Sequence, residues 1–89
     1  MNCIYELVPT NRRKSFYGKA KVIVDGNRHY LMSYDTIMGM IEAESGTMHR
    51  YSNYYSVTTN NHVIAFTGGR QKEFWALPLE DRPTIKLTV

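Results

Sequence analysis

Alternation of apolar and polar residues predicts strands over much of the first half of the chain. Two strand-forming runs flank Asp25-Gly26 within Lys19 to Met32. Asp-Gly between such runs predicts a hairpin, because both central positions of a type I′ turn need positive φ. One face of the first arm is predicted to be apolar, and its residues are Ala20, Val22 and Val24.

Further strands are predicted before and after this hairpin. A short strand over residues 3 to 8 stops at Pro9, which cannot donate to a sheet ladder, and an exposed loop then covers Thr10 to Ser15, with a bend at Gly18. The later strands are predicted at Thr36 to Ala43, where Ile37, Gly39 and Ile41 share a face, at Met48 to Tyr51 after a loop over residues 44 to 47, and at the tail Thr84 to Val89. The result is an antiparallel meander.

The period changes from two to a helical one after Ser56. A Ser or Thr in Ser56 to Thr59 supplies the N-cap, and Gly68-Gly69 supplies the left-handed residue that ends the helix. We expect this helix, near Thr58 to Thr67, to lay Val63 and Phe66 on the sheet. Gln71 to Leu77 is predicted to add a second helical turn that ends at Pro78.

These elements predict an α+β fold: a mainly antiparallel sheet of four or five strands with one short helix packed on one face. Residues 1 to 89 are expected to form a single domain with one modest core. Phe66 is expected to be buried, so that Phe66→Ala would destabilise by about 3 to 5 kcal/mol. The predicted core residues are Val22, Val24, Leu31, Ile37, Ile41, Val63, Phe66 and Trp75.

Composition indicates which cellular location to expect for the protein. Apolar residues make up 43% of the chain, as in ordinary globular domains. No apolar run approaches the about 18 residues of a membrane span, and the N-terminus lacks the pattern of a signal peptide. Cys3 is the single cysteine, which rules out an internal disulfide. We expect a cytoplasmic protein.

Positive charge is concentrated in residues 12 to 28, although the net charge is only +3. The chain is also rich in aromatic residues, and Phe16-Tyr17 lies inside the basic segment. Cations that track phosphates and rings that stack on bases bind single-stranded nucleic acid, so this segment is one candidate surface. A solvated face is the competing interpretation. The candidate contact residues are Arg12, Arg13, Lys14, Tyr17 and Lys19.

A protein partner is the favoured alternative to nucleic acid. Tyr51, Tyr54 and Tyr55 crowd the connection between the last predicted strand of the sheet and the helix, and tyrosine is enriched at interface centres. These rings could instead cover the core with their hydroxyls in water. Sheet edges, including the tail, also permit strand addition and a homo-oligomer.

Catalysis has little support in the sequence. The phosphate-loop, nucleophile-elbow and His-Glu-x-x-His motifs are all missing. The candidate metal ligands Cys3, His29, His49 and His62 lie on different predicted elements, and His62 is expected to pack or cap the helix. Glu42 and Glu44 lie near a hairpin tip, where charges normally face water. We therefore expect a non-enzymatic protein with no metal and no cofactor.

Several motifs together resemble a known group of proteins. They are Glu6-Leu7-Val8-Pro9-Thr10, Arg13-Lys14-Ser15-Phe16-Tyr17-Gly18-Lys19-Ala20, Leu31-Met32-Ser33-Tyr34-Asp35-Thr36 and Tyr54-Tyr55-Ser56-Val57-Thr58-Thr59, followed by His62 and Phe66. In these motifs the chain resembles a family of small uncharacterised proteins from gut-type bacteria, their phages and mobile elements. The likeness covers about residues 4 to 67 and leaves out the tail after Gly69. It implies a small cytoplasmic protein without known catalytic residues, such as an inhibitor of a host protein.

Overall fold

The computed structural model describes residues 2–7 and 19–83. They form a five-stranded sheet in the order β1-β2-β3-β4-β5, in which every neighbouring pair is antiparallel, and two short helices. The strands are β1 (Asn2–Glu6), β2 (Ala20–Asp25), β3 (Arg28–Ser33), β4 (Thr36–Glu42) and β5 (Met48–Arg50), and the helices are α1 (Val57–Thr67) and α2 (Gln71–Ala76). The predicted α+β fold and meander are confirmed.

The hairpin between β2 and β3 turns one residue later than predicted. Asp25 pairs with Arg28, so Gly26 and Asn27 are the central residues of the turn. Gly26 has a φ of 58°, and Asn27 does not have a positive φ. Positive φ at the first central position alone is the pattern of a type II′ turn, for which glycine at that position is the usual residue. The predicted type I′ turn is therefore wrong.

A bulge in β4 changes which of its side chains share a face. Leu31 pairs with Gly39 and Met32 pairs with Ile37, which leaves Met38 as an extra residue. Because an extra residue breaks the two-residue alternation, Ile37 points away from the face that carries Gly39. Ile37 packs in one apolar cluster and Met38 in the other. The predicted shared face of Ile37, Gly39 and Ile41 is wrong.

Both faces of the sheet bury apolar side chains. On the helix side the buried cluster contains Leu31, Met38, Met48, Val63 and Phe74. On the far side, away from the helices, it contains Ile23, Tyr30 and Met40. Ile23 is fully buried, so the prediction of a single apolar face on β2 is wrong. A strand that is covered on both sides loses its simple alternation of apolar and polar residues.

The caps of α1 agree with the sequence prediction. The N–H of Thr59 donates to the Ser56 hydroxyl oxygen at 3.0 Å, which makes Ser56 the N-cap. Gly68 ends the helix in the left-handed conformation, with a φ of 68°. The predicted second helical segment is confirmed as α2, in which Leu77 follows the last helical residue.

Phe74 of α2, which was not among the predicted core residues, is the largest fully buried side chain in the described part of the chain. Its ring lies over Gly39, where a Cβ atom would come within 2.4 Å of the ring edge. The glycine in β4 therefore makes room for the ring. Of the predicted core, Val22, Leu31 and Val63 are fully buried, whereas Val24, Ile37, Ile41, Phe66 and Trp75 are only partly buried.

Three predictions lie outside the described residues. They concern the loop at Thr10 to Ser15, the bend at Gly18 and the strand at Thr84 to Val89. Among the residues that are described, neither helix has the length and apolar character needed to cross a membrane.

Candidate functional site

The structure describes one of the five contact residues proposed from the sequence. Lys19 precedes β2 and is exposed, and its Nζ lies 5.5 Å from the centre of the Tyr34 ring. That distance allows a cation–π contact, which brings a positive charge and an exposed aromatic ring together. The other four candidates, Arg12, Arg13, Lys14 and Tyr17, lie outside the described residues.

Tyr34 is held in an uncommon backbone conformation between β3 and β4. Its φ is 56°, and no other described residue except glycine has a positive φ. The Tyr34 N–H donates to the Lys19 carbonyl oxygen at 2.7 Å, which fixes the turn. A bulky residue in the left-handed region costs about 1 to 3 kcal/mol, and such strain is concentrated at functional sites. The side chain nevertheless remains 48% exposed.

A buried pair of hydrogen-bonded polar residues lies next to Tyr34. The Ser33 hydroxyl and His62 Nδ1 are hydrogen-bonded at 2.8 Å, and both residues are buried. The centres of the His62 and Tyr34 rings lie 5.9 Å apart. The packing role predicted for His62 is confirmed, because this residue links α1 to the end of β3.

Exposed apolar side chains continue along the connection from β5 to α1. Tyr54 is 62% exposed, Tyr55 is 59% exposed and Val57 is 71% exposed. The N–H of Tyr54 donates to the hydroxyl oxygen of the buried Ser52 at 3.2 Å, which anchors the connection. These rings therefore do not cover the core, which was the competing interpretation.

Two clefts flank the connection. The first, of about 280 Å³, is lined by Ser33, Tyr34, Thr36, Met38, Tyr54 and Thr59. The second, of about 400 Å³, is lined by Tyr55, Asn60, Gln71, Lys72 and Trp75. In the second cleft, Trp75 Nε1 donates to Asn60 Oδ1 at 2.8 Å, and the Tyr55 and Trp75 rings meet edge to face at 5.2 Å. We call Tyr34, Tyr54, Tyr55, Val57 and Trp75 the aromatic surface.

Tyr51, the third tyrosine singled out from the sequence, belongs to a different surface. It is partly buried against the far-side cluster, with Tyr30 and Met40. Burial raises the pKa of its hydroxyl above the ordinary value of 10.0. Tyr51 therefore does not contribute to the aromatic surface.

A histidine between two carboxylates lies near Tyr51 on the far side of the sheet. His49 Nε2 is 3.0 Å from Glu42 Oε2, and His49 Nδ1 is 2.8 Å from Glu80 Oε2. We call these three residues the His49 cluster. The hydrogen bond to Glu42 raises the pKa of His49 above 6.5, and Glu80 adds to this effect while burial opposes it. The expectation that Glu42 simply faces water is therefore wrong.

The His49 cluster does not have the arrangement of a metal centre. Each carboxylate takes a different ring nitrogen, so the two cannot bind one ion together with the imidazole. Among the described residues, no group of three or more histidine, cysteine or acidic side chains could hold a metal ion. Cys3 is an exposed thiol on β1.

Comparison with known proteins places the chain in a family. The family model described as "Family of unknown function (DUF8033)" matches residues 5–75, which is most of the chain. The chain belongs to DUF8033. No curated protein matches it, and no solved structure does.

The DUF8033 match confirms the resemblance to an uncharacterised family and extends it. The match ends at residue 75, within α2, so it includes Trp75 and the start of the tail after Gly69 that the resemblance left out. The whole aromatic surface lies within the matched residues. Glu80 of the His49 cluster lies beyond them.

Two features of the structure bring together residues that are distant in the chain, and neither was predicted from the sequence. Tyr34 joins Tyr54 across the first cleft, but 20 residues separate them in the chain. Glu80 joins His49 from 31 residues away. No local motif indicates either pairing. The run Tyr54-Tyr55 was the one local signal, and it correctly pointed to part of the aromatic surface.

Proposed function

We propose that this protein is a non-enzymatic binding module that contacts a protein partner through the aromatic surface. The observation that carries the proposal is the exposure of Tyr54, Tyr55 and Val57 beside two clefts. Tyrosine and tryptophan dominate the energetic centres of protein interfaces, and clefts of this size accept side chains of a partner. Exposed apolar side chains that lie together beside a cleft, unlike scattered single ones, favour an interaction site.

The edges of the aromatic surface carry positive charge. Lys19 lies over Tyr34 at one end, and Lys72 lines the second cleft at the other. An apolar centre with a charged rim is the usual anatomy of a protein interface. We therefore expect the partner to present apolar side chains to the two clefts and carboxylates to these two lysines.

The setting of this interaction is part of the same proposal. The motifs that resemble proteins of gut-type bacteria, their phages and mobile elements support a small cytoplasmic protein of that origin. In that setting, a module of 89 residues can block a larger host protein by covering its surface, as an inhibitor. β1 is an exposed strand at one edge of the described sheet, and this edge supports a homo-oligomer as a further form of the assembly.

Photo-crosslinking at Tyr54 tests the proposal directly. Tyr54 is replaced with benzoylphenylalanine, which keeps an aromatic ring at the cleft, and cells that express the variant are irradiated. We expect one dominant crosslinked protein, identified by mass spectrometry. With that protein purified, Tyr54→Ala and Tyr55→Ala should each weaken binding at least about 30-fold, as expected for a hot spot worth 2 kcal/mol or more.

Tyr5 provides the matched control, because it is an exposed tyrosine on β1 that lines neither of the two clefts. The photo-reactive analogue at Tyr5 should not capture the same protein, and Tyr5→Ala should leave the affinity within about threefold. Equal capture from both positions, or tight binding by the Tyr54→Ala variant, would refute the proposal.

Nucleic acid is the second candidate partner, and the contact of Lys19 with Tyr34 is the observation that favours it. A cation beside an exposed ring can bind a phosphate while the ring stacks on a base. Arg12, Arg13, Lys14 and Tyr17 are the further contact residues proposed from the sequence for this function. Such binding would weaken steeply with salt, whereas an apolar protein interface would not.

A further inference from the structure

The His49 cluster joins two parts of the fold that are far apart in sequence. His49 is on β5, opposite Met40 of β4, and Glu42 lies two residues further along β4 on the same face. Glu80 belongs to the segment that follows α2. This segment runs along the outer edge of β5, where Arg50 and Leu79 form a parallel bridge. The cluster therefore connects the sheet with a peripheral segment.

The geometry of the cluster requires a protonated ring. Both nitrogens of His49 lie within 3.0 Å of a carboxylate oxygen. Neutral imidazole carries one N–H and one lone pair, so it can donate to one carboxylate only, whereas imidazolium donates to both. In the neutral state, a lone pair would face an anionic oxygen at hydrogen-bonding distance. The arrangement is therefore that of an imidazolium cation between two anions.

The His49 cluster lines a cleft on the far side of the sheet. Among the described residues that line this cleft, His49 is the one whose side chain ordinarily titrates near neutral pH. The others with ionisable side chains are Arg28 and Tyr30 on β3, Glu42 on β4, Tyr51 after β5, and Glu80. Among these types of side chain, histidine is the one that ordinarily changes its charge between about pH 5 and about pH 8. The contacts of His49 with Glu42 and Glu80 raise its pKa above 6.5.

The two carboxylates differ in how firmly the chain holds them. Glu42 is part of the hairpin that also carries His49, and its N–H donates to the Thr47 carbonyl oxygen at 2.8 Å. Glu80 is held by its own N–H, which donates to the Arg50 carbonyl oxygen at 2.8 Å, and by His49. When the ring loses a proton, the contact with Glu80 is the one that opens at the smaller cost.

Arg50 limits how far the segment can open. Its guanidinium donates to the Leu77 carbonyl oxygen from Nε at 3.0 Å and from Nη2 at 2.7 Å. Because arginine does not titrate in this range, these contacts persist at every pH considered. Opening is therefore confined to the residues that follow Leu77.

We propose that the His49 cluster is a proton-controlled clasp that holds the segment 80–83 against β5 and releases it when His49 becomes neutral. Release uncovers the cleft lined by Tyr30, Met40 and Tyr51, so the far side of the sheet changes its accessible surface with pH. This device is independent of the aromatic surface and of the function proposed for it.

NMR of the full chain tests the clasp. The titration of the His49 ring and the exchange rate of the Glu80 amide, divided by the intrinsic rate at each pH, are followed from about pH 5.5 to about pH 8.5. We expect His49 to titrate above 6.5, and the protection of the Glu80 amide to fall with the same midpoint. The fall should be about tenfold for each pH unit by which the clasp raises the pKa of His49.

Two variants separate the clasp from a general loosening of the fold. Glu80→Gln should bring the pKa of His49 down and leave the amide at position 80 weakly protected at every pH. Glu44→Gln, which removes an exposed carboxylate from the neighbouring loop, should leave both readouts as in the unmodified protein. A His49 pKa at or below 6.5, or Glu80 protection that is equal on both sides of the His49 midpoint, would overturn the proposal.

Discussion

Gly39 is a single residue on which the packing of α2 depends. A Cβ atom at this position would lie 2.4 Å from Phe74 Cε1 and 2.6 Å from the His49 carbonyl oxygen. Neither a buried ring nor a strand carbonyl can move away freely, so Gly39→Ala is expected to destabilise the protein by about 1 to 3 kcal/mol. Urea unfolding measures this change.

A double-mutant cycle of Gly39→Ala with a substitution of Phe74 tests whether the clash with the Phe74 ring causes that loss of stability. In a Phe74→Leu background, Gly39→Ala should cost less, because part of the clash disappears with the ring. Gly26→Ala is the matched control: its Cβ would enter open space, and its loss of about 1 to 2 kcal/mol should come from the positive φ alone. The control should show no coupling to Phe74. Equal costs of Gly39→Ala in both backgrounds would contradict this account.

The two phenylalanines of the helices are expected to differ in their contribution to stability. Phe74 is fully buried, whereas Phe66 is only partly buried at the border of the helix-side cluster. Truncation of a buried phenylalanine costs about 3 to 5 kcal/mol, so Phe74→Ala should approach that loss and Phe66→Ala should fall below it. If Phe74→Ala does not fold, the pair Phe74→Leu and Phe66→Leu gives the same comparison. A larger loss at Phe66 would show that the core is centred elsewhere.

At the scale of elements, the clasp between β5 and the segment after α2 makes stability depend on pH. The folded state raises the pKa of His49 above its unfolded value of 6.5, so it binds the proton more tightly than the unfolded chain does. The stabilisation is therefore fully present below pH 6.5, while the carboxylates stay ionised, and is lost as the pH rises through the raised pKa. The three side chains are 26%, 38% and 43% exposed, so solvent screening keeps this contribution small.

Denaturation of the protein and of Glu80→Gln at about pH 5.5, 7 and 8.5 measures this contribution. The difference in unfolding free energy between the two should be largest at the lowest pH and should shrink as the pH rises. Glu44→Gln should give a difference that does not change with pH. A stability gap that grows with pH would have the wrong sign for a raised histidine pKa.

The elements could be predicted from the sequence because their signals are local. The hairpin after Ala20, the Ser56 cap and Gly68 each depend on residues within a few positions of one another. The bulge at Met38 has no such signal, since it arises from the pairing of two strands, and one extra residue is enough to reverse the face of Ile37.

The candidate site was less predictable, because its residues come together from distant parts of the chain. Tyr54 and Tyr55 stand out because they are adjacent in the chain, but Tyr34 reaches the first cleft only through the turn between β3 and β4. Trp75 was predicted to be in the core and Phe74 was not, yet Phe74 is fully buried and Trp75 only partly buried, and no local pattern distinguishes these two neighbours. Phe74 is the buried residue because Gly39, on a distant strand, leaves space for its ring.

At the scale of the whole molecule, the net charge of +3 determines which measurement distinguishes a nucleic-acid partner from a protein partner. A net positive charge favours weak attraction to any polyanion, without sequence preference. This attraction falls with rising salt, because the release of counterions on binding then becomes less favourable. A protein interface centred on tyrosines depends on apolar burial and responds far less to salt. Salt dependence therefore distinguishes a nucleic-acid partner from a protein partner.

Fluorescence anisotropy of labelled single- and double-stranded oligonucleotides at about 50 and about 200 mM salt provides the test. If the aromatic surface serves a protein partner, we expect at most weak binding at the lower salt, none at the higher, and no change with Tyr54→Ala. The triple variant Arg12→Gln, Arg13→Gln, Lys14→Gln should abolish the weak binding, because it removes the charges and not the rings. Tight binding to single strands at the lower salt that weakens steeply at the higher salt and is lost with Tyr34→Ala would instead make Lys19 and Tyr34 part of a nucleic-acid site, and would reverse the order of the two proposals.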